Sequence, residues 1–339
     1  MQEKIFITGV AGFIGYHLCN RLLSEGKSVI GLDNLNSYYD VNLKKARLEN
    51  LYKLKGEFIF FNDNIENIQI IESIFKLHKP EIVFNLAAQA GVRFSIENPE
   101  TFTKTNVLGF NNLLSVCSKN KIKHIIYASS SSVYGGNTCL PYSEKKSVDH
   151  PVSIYAATKK ANELYAHCYS HLYSLPITGL RFFTVYGPWG RPDMAYFIFT
   201  KSILEDKEIQ IYNHGEMFRD FTFIDDIVES LTRIMNIPPE KNNTFDKNNP
   251  SSDSSWAPHR VFNIGNSYSV KLIDFIEIIE KVTGKKAHKN FLPMQKGDVE
   301  STLADTQLLE NWINFRPNTP LDIGLGKFVE WYKDFYKII

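Results

Sequence analysis

The sequence predicts an α/β protein: a doubly wound parallel sheet followed by a smaller C-terminal α/β part. Three observations support this. Short, continuously apolar runs such as KIFIT, SVIGLD and EIVFN alternate with amphipathic stretches of helical length, the pattern of parallel strands covered on both faces. A glycine-rich turn separates the first such strand from the first helix. Beyond residue 184 the simple alternation stops in a run dense in glycine and proline, TVYGPWGRPDM, which ends regular structure and begins a different part of the chain.

Lys4–Thr8 is the first strand, and it enters Gly9-Val10-Ala11-Gly12-Phe13-Ile14-Gly15 before the helical HLCNRLLSEG. Strand, glycine turn and helix N-terminus in that order make an anion site, because unpaired amides and the helix dipole face whatever lies above the turn. Gly9, Gly12, Phe13, Ile14 and Gly15 are therefore expected to carry the pyrophosphate of a dinucleotide. The spacing is Gly-x-x-Gly-x-x-Gly, not the commoner Gly-x-Gly-x-x-Gly, so the context has to add weight. It does so through SVIGLD, a second strand ending in Asp33 and followed by Asn34. A carboxylate there accepts from the adenosine ribose hydroxyls and repels a 2′-phosphate, favouring NAD over NADP.

Three more strand-helix units follow: FIFFN with IQIIESIFKLH, EIVFNLAA with TFTKTNVLGFNNLLSVCSK, and HIIYASS with a helix bearing Tyr155. Ligands of such sheets lie at the carboxyl ends of the strands. Leu86, Ala87, Ala88 and Gln89, and then Ser129 to Ser132, are thereby placed against a cofactor. A sixth strand, ITGLRFF, closes the set. The remaining chain holds FIFTKSILEDKEIQIYN, Phe218–Phe223 and the helical DDIVESLTRIMNI. After a polar, turn-rich loop at 238–258 come the strand VFNIGN and two amphipathic helices, KLIDFIEIIEKVTG and GLGKFVEWYKDFYK. The expected division is residues 1–184 for the cofactor, with segments near 225–236 and 259–266 returning to it. Residues 185–224 and 267–339 are left for the substrate.

Tyr155 and Lys159 stand four residues apart on a helix, hence on one face. A cation near a phenol stabilises the phenolate and supplies a base nearer neutral pH. Ser130, at the end of the preceding strand, can bond the same substrate oxygen and pass its proton on. Arg219 lies in an apolar-aromatic stretch, FRDFTF, where a cation needs an anion.

Composition narrows the rest. In 339 residues, 38 basic and 37 acidic side chains leave a net charge of +1, no field for nucleic acid or an anionic membrane. No apolar run approaches the roughly 20 residues of a membrane span, and MQEKIFITG goes straight into a strand without the pattern of a signal peptide. Cys19, Cys117, Cys139 and Cys168 have neither pairing nor metal-ligand spacing. Reduced thiols, a cytoplasmic protein and no metal are expected.

Taken together, TGVAGFIG, NLAAQAGVR, SSSSVYG, YAATK, RDFTFIDD and GDV resemble, in order, the marks of the extended short-chain dehydrogenase/reductase family, which has a Rossmann fold, and within it the nucleotide-sugar epimerases. The longer runs NLAAQAGVRFSIENP and LPMQKGDVESTLAD are similar to the epimerases that convert UDP-glucuronate to UDP-galacturonate. The resemblance implies that Tyr155 deprotonates the sugar 4-hydroxyl, that Lys159 lowers its pKa and binds the nicotinamide ribose, and that Ser130 shuttles the proton. NAD takes the hydride and returns it to the other face of a 4-keto sugar.

It also extends the cofactor contacts to Asn64, Ile65, Asn106 and Phe182. Asn64 stands where relatives carry Asp, with Asp63 one place earlier. A 4-ketone beside the C5 carboxylate is a β-keto acid and loses carbon dioxide if the breaking bond aligns with the carbonyl π system. Arg191, with Thr184, Ser131 and Ser132, is expected to fix the carboxylate against that alignment, with Arg93 a further candidate for substrate anions. By resemblance, Arg219 and Asp298 meet the UDP diphosphate and uridine ribose. Lys296 replaces a proline of the closest pattern. A homodimer through helices around 101–118 and 153–173 is implied.

UDP-glucuronate decarboxylases and 4,6-dehydratases are the nearest alternatives, but those families place Glu, or Asp-Glu, where Ser131-Ser132 stand. An epimerase of neutral UDP-glucose would leave Arg191 facing no charge. A noncatalytic NAD-binding scaffold would have no use for Tyr155, Lys159 and the serine run.

Overall fold

A computed structural model describes residues 3–295 and 297–338; Lys296 lies outside them. The chain runs β1 (Lys4–Thr8), α1 (Phe13–Ser24), β2 (Ser28–Asp33), α2 (Val41–Leu51), β3 (Phe58–Asn62), α3 (Ile68–His78) and β4 (Ile82–Asn85). Two short helices, α4 (Val92–Glu97) and α5 (Pro99–Phe102), lead through a π-helical stretch, Thr103–Gly109, into α6 (Phe110–Ser118). Then come β5 (His124–Ser130), a 3₁₀ turn at Ser131–Tyr134, α7 (Ile154–Tyr173) and β6 (Ile177–Phe182). These strands lie in one sheet, and all its pairings are parallel. The order is β3-β2-β1-β4-β5-β6, and a seventh strand, β10 (His259–Ile264), adds to β6. The order reverses at β1, so the crevice between the ends of β1 and β4 is where such a sheet binds its ligand.

Apolar side chains explain the two layers. Phe6, Ile30, Val83, Ile125 and Tyr127 pack one face of the sheet against Ile71, Ile74, Phe110, Leu113 and Ala166 of α3, α6 and α7. Ile5, Ile7, Phe84, Ile126 and Leu180 point the other way, to Leu18 and Leu22 of α1. Successive residues of a strand face opposite sides.

That second core does not stop at the sheet. It continues through β7 (Thr184–Tyr186), α8 (Ala195–Leu204), β8 (Glu208–Ile211), β9 (Phe218–Phe223) and α9 (Ile224–Met235). It also takes in β11 (Ser269–Lys271), α10 (Leu272–Thr283), α11 (Gln307–Ile313) and α12 (Leu321–Tyr336), while β12 (His288–Phe291) lies mostly exposed outside it. Here β11, β9 and β7 form one small sheet, and β12 pairs with β8 in another. The stacked rings of Phe221 and Phe275, 4.3 Å apart, pin β9 to α10.

The fold adds to the expected elements. Helix α2, absent from the reading of apolar periodicity, begins at Asp40, whose carboxylate caps the Asn42 amide at 2.9 Å. Its inward side carries Lys44 and Arg47 beside Leu43, Leu48 and Leu51, so the cations break the apolar stripe. Ser129 and Ser130 are the last residues of β5 itself, and the loop beyond them begins at Ser131. Loop 238–258 has no helix or strand, and near its end the Trp256 indole donates to His171 on α7 at 2.9 Å. Cys19 and Cys117 are buried, Cys139 and Cys168 exposed, and all four are free. Among the described residues no helix is long and apolar enough to cross a membrane.

Candidate active site

One cleft, of about 960 Å³, runs from the glycine turn to the small sheets. Gly9, Gly12, Phe13, Ile14 and Gly15 line its floor with Asp33, Asn34, Ile65, Leu86, Ala87, Ala88, Gln89 and Phe182. Ser130, Ser131, Ser132, Tyr155, Lys159, Thr184 and Arg191 line its middle, and Arg93, Arg219 and Asp298 its other end. Asn64 and Asn106 do not line it. Asn64 accepts from the Asn34 side chain at 2.8 Å, beside the wall.

The glycine turn owes its shape to two contacts. Gly9 has φ +73°, and a β-carbon there would lie 2.6 Å from the Ala87 nitrogen, so only glycine lets β1 and the segment after β4 approach this closely. Gly12 caps α1 without a side-chain acceptor, and the first turn has no acidic residue. The first amides of a 12-residue helix are thus left for an external anion. Asp33 accepts from the Ala11 amide at 3.0 Å and from Leu35 at 2.9 Å, and burial pushes its carboxyl pKa up. It braces the turn as well as offering lone pairs to a ribose. These features fit a dinucleotide.

Helix α7, which carries Tyr155 and Lys159, is set by Ser153, whose hydroxyl accepts from the Ala156 amide at 3.1 Å, a cap that stabilises a helix by about 1 kcal/mol. Tyr155 is half-buried and edge-on to Phe102 at 6.1 Å. Burial raises its phenol pKa; a hydrogen bond with Ser130 and the charge of Arg191 pull it back. Lys159 is 2 % exposed, donates to the Ala128 carbonyl at 2.8 Å, and is lowered by desolvation to about 7. Ser130 and Arg191 favour the phenolate, and the Lys159 ammonium lies 6.0 Å from the centre of the Tyr155 ring.

Behind these residues lies a buried polar scaffold. Asn106 accepts from the Gln89 amide at 2.8 Å and donates to the Gln89 carbonyl and to Thr158, both at 3.0 Å. It ties the loop after β4 to the helix of Tyr155. Glu163 accepts from Ser129 at 2.7 Å and pairs both carboxylate oxygens with Arg181 at 2.8 Å. Arg181 is fully buried, and its charge is satisfied in place.

At the far end Arg219 is partly buried, donates only to the Phe218 and Glu300 carbonyls and, among the described residues, makes no ion pair. Its desolvated cation is a ready anion site. Arg93 contacts Asp298 at 3.4 Å.

Sequence reasoning missed three residues of the wall. Tyr38 donates to Asp193 at 3.1 Å, and Asp193 grips Arg191 with both oxygens, at 3.1 Å to Nε and 2.5 Å to Nη2. Lys44 donates to the backbone and side-chain oxygens of Asn36, both at 2.8 Å. The paired tyrosines of SYYD and the aspartate of GRPDM were the available signals. Arg47 was missed as well: fully buried, it donates to the carbonyls of Ala11 at 2.7 Å and Trp189 at 2.5 Å, and to the Tyr39 hydroxyl at 2.8 Å. It bolts the glycine turn to the loop that carries Arg191.

Among the described residues no group of three or more His, Cys, Asp or Glu is arranged to hold a metal ion. Residues 5–250 match the model of the NAD dependent epimerase/dehydratase family. The chain is 52% identical over 334 residues to protein CapI of Staphylococcus aureus, covering 98% of this chain and 99% of that protein. It is 45% identical over 335 residues to a probable UDP-glucuronate 4-epimerase of Rhizobium meliloti, covering 98% of each. A crystal structure of UDP-glucuronic acid 4-epimerase from Bacillus cereus, in complex with UDP-glucuronic acid and NAD, superposes with a TM-score of 0.87 at 33% identity, over 98% of this chain and all of that one.

Proposed function

We propose that this chain, which belongs to the NAD dependent epimerase/dehydratase family, inverts carbon 4 of UDP-glucuronate to give UDP-galacturonate, reversibly and through a 4-keto sugar. One observation carries the choice of an acidic sugar: the Arg191 guanidinium lines the same cleft as the Tyr155 phenol, and its charge favours the phenolate. A cation sharing the cleft with the base can meet a charged substituent next to the carbon that reacts. The relatives named above support the same reading.

NAD, when bound, accepts the hydride of carbon 4 and later returns it. Gly9, Gly12, Gly15, Asp33 and the segment Leu86–Gln89 would hold it. The chain's own residues do the rest. Tyr155 takes the 4-hydroxyl proton with Ser130 as relay, and returns it when the ketone is reduced. Lys159, desolvated on the same helix face, fixes the ribose hydroxyls nearest the nicotinamide. Arg191, Thr184, Ser131 and Ser132 hold the uronate by charge-assisted hydrogen bonds, near the plane of the carbonyl, where the C5–C6 bond lies out of line with the π system. Arg93, Arg219 and Asp298 secure the UDP end. The absence of Glu or Asp at positions 131 and 132 leaves no acid and base for dehydration. The protein works in the cytoplasm as a homodimer through its exposed apolar residues on α7, Leu164 and Leu172 among them.

The experiment is incubation of purified protein with UDP-glucuronate, without added NAD, and separation of the products. UDP-galacturonate supports the proposal. A UDP-pentose, or unchanged UDP-glucuronate from protein shown to contain NAD, overturns it.

A further inference from the structure

Arg191 has five N–H donors in a planar fork, and in this structure Asp193 occupies the Nε and Nη2 edge with both of its oxygens. Among the described residues Asp193 is the one acidic partner of Arg191, and the end-on edge, Nη1 with the second hydrogen of Nη2, faces no other carboxylate. Asp193 is itself held from behind. The Tyr38 hydroxyl donates to the same Asp193 oxygen that meets Nη2, and the Tyr38 ring packs on Phe94 at 4.9 Å. Phe94 packs on Phe102, and Phe102 on Tyr155. Gly91 completes the seat: it has φ +111°, and a β-carbon there would fall 2.5 Å from the Tyr38 hydroxyl. Side-chain exposures of 23% for Arg191 and 29% for Asp193 leave the pair open to the cleft that both line.

We infer that Asp193, backed by Tyr38, is a positioning residue that fixes the plane of the Arg191 guanidinium, and thereby decides whether the keto sugar is epimerised or decarboxylated. The inference rests on the reading that Arg191 binds the uronate. A guanidinium free to swing about its long side chain would still attract a carboxylate but would not set its orientation. Orientation is what the β-keto acid requires. When the C5–C6 bond aligns with the carbonyl, its electron pair moves into a C4–C5 enolate, carbon dioxide leaves, and a proton from water at C5 gives a UDP-4-ketopentose. Asp193 also half-neutralises the site, so its contribution is to geometry at the expense of raw attraction.

The test uses Asp193→Asn and Tyr38→Phe in the full chain, with UDP-glucuronate and added NAD so that release of the ketone, which leaves the hydride on the cofactor, does not halt turnover. UDP-hexuronate and UDP-pentose products, ketone or alcohol, are separated and their ratio measured. Asp193→Asn should raise the pentose fraction about tenfold, the effect of losing a charge-assisted hydrogen bond, while KM for UDP-glucuronate does not rise. Tyr38→Phe should move the ratio in the same direction by less. The ratio is set within each molecule that turns over, so partial loss of folded protein leaves it unchanged. A wild-type ratio in both variants overturns the inference. If instead Arg191→Ala leaves KM for UDP-glucuronate unchanged, it is the uronate clamp that fails, and this proposal falls with it.

Discussion

The ammonium nitrogen of Lys159 stands 6.0 Å from the centre of the Tyr155 ring and donates to the Ala128 carbonyl instead. With burial holding its pKa near 7 against an ordinary 10.5, the fold binds fewer protons at this position than the unfolded chain between those two values. Stability therefore rises with pH across that window, and the penalty is greatest below pH 7. Lys159→Met should raise the melting temperature of the nucleotide-free protein at pH 6 by about 3 °C, lose that gain toward pH 10, and abolish turnover. Calorimetry at several pH values checks it.

Tyr155→Phe removes the hydroxyl that meets Ser130 and leaves the ring against Phe102. Turnover should fall by about 10³-fold, within the range of general-base catalysis, with melting temperature and bound NAD unchanged. Residual activity near wild type would mean that another group takes the proton.

Arg191→Ala should lower kcat/KM for UDP-glucuronate by about a hundredfold, as expected for an unpaired charge at a binding site. With UDP-glucose as substrate the loss should be far smaller. Equal losses on both sugars would show that Arg191 acts on the fold and not on the uronate.

Gly9→Ala combines a left-handed backbone with a β-carbon 2.6 Å from the Ala87 nitrogen. The cost should be about 3 kcal/mol from strain and overpacking. The displaced turn should also retain less NAD. Urea midpoints and nucleotide content after purification measure both, and a fully loaded, stable variant would contradict the close approach of β1 and the segment after β4.

Arg47→Met deletes the donors to Ala11, Trp189 and Tyr39 and leaves buried oxygens unpaired, for a loss of about 3 kcal/mol. Arg47→Lys should not restore it, since one ammonium cannot span acceptors on two loops. Thermal melting of the two variants decides it.

What was legible in the sequence was what local geometry dictates. The turn from Gly9 to Gly15, the strand ending at Asp33 and the four-residue step from Tyr155 to Lys159 depend only on neighbours in the chain, and each has its place in the cleft. Helix α2 was hidden because Lys44 and Arg47 occupy inward positions where periodicity looks for apolar residues, and the partner that explains Arg47 lies more than a hundred residues away at Trp189. Asp193 and Tyr38 were hidden for the same cause. Their partnership joins positions 155 residues apart. Asn106 came only by resemblance, and it serves behind the wall, where no spacing rule points.

β10 pairs with β6 at the edge of the large sheet, yet its residues, His259–Ile264, come after β7, α8, β8, β9 and α9 in the chain. During synthesis the backbone donors and acceptors along the outer side of β6 therefore stay open while some eighty further residues leave the ribosome, an invitation to wrong pairing that the growing chain must survive. It also means that no cut near residue 184 yields a self-sufficient nucleotide-binding fragment: such a piece would keep an unfinished border and a bare apolar face where α9 belongs.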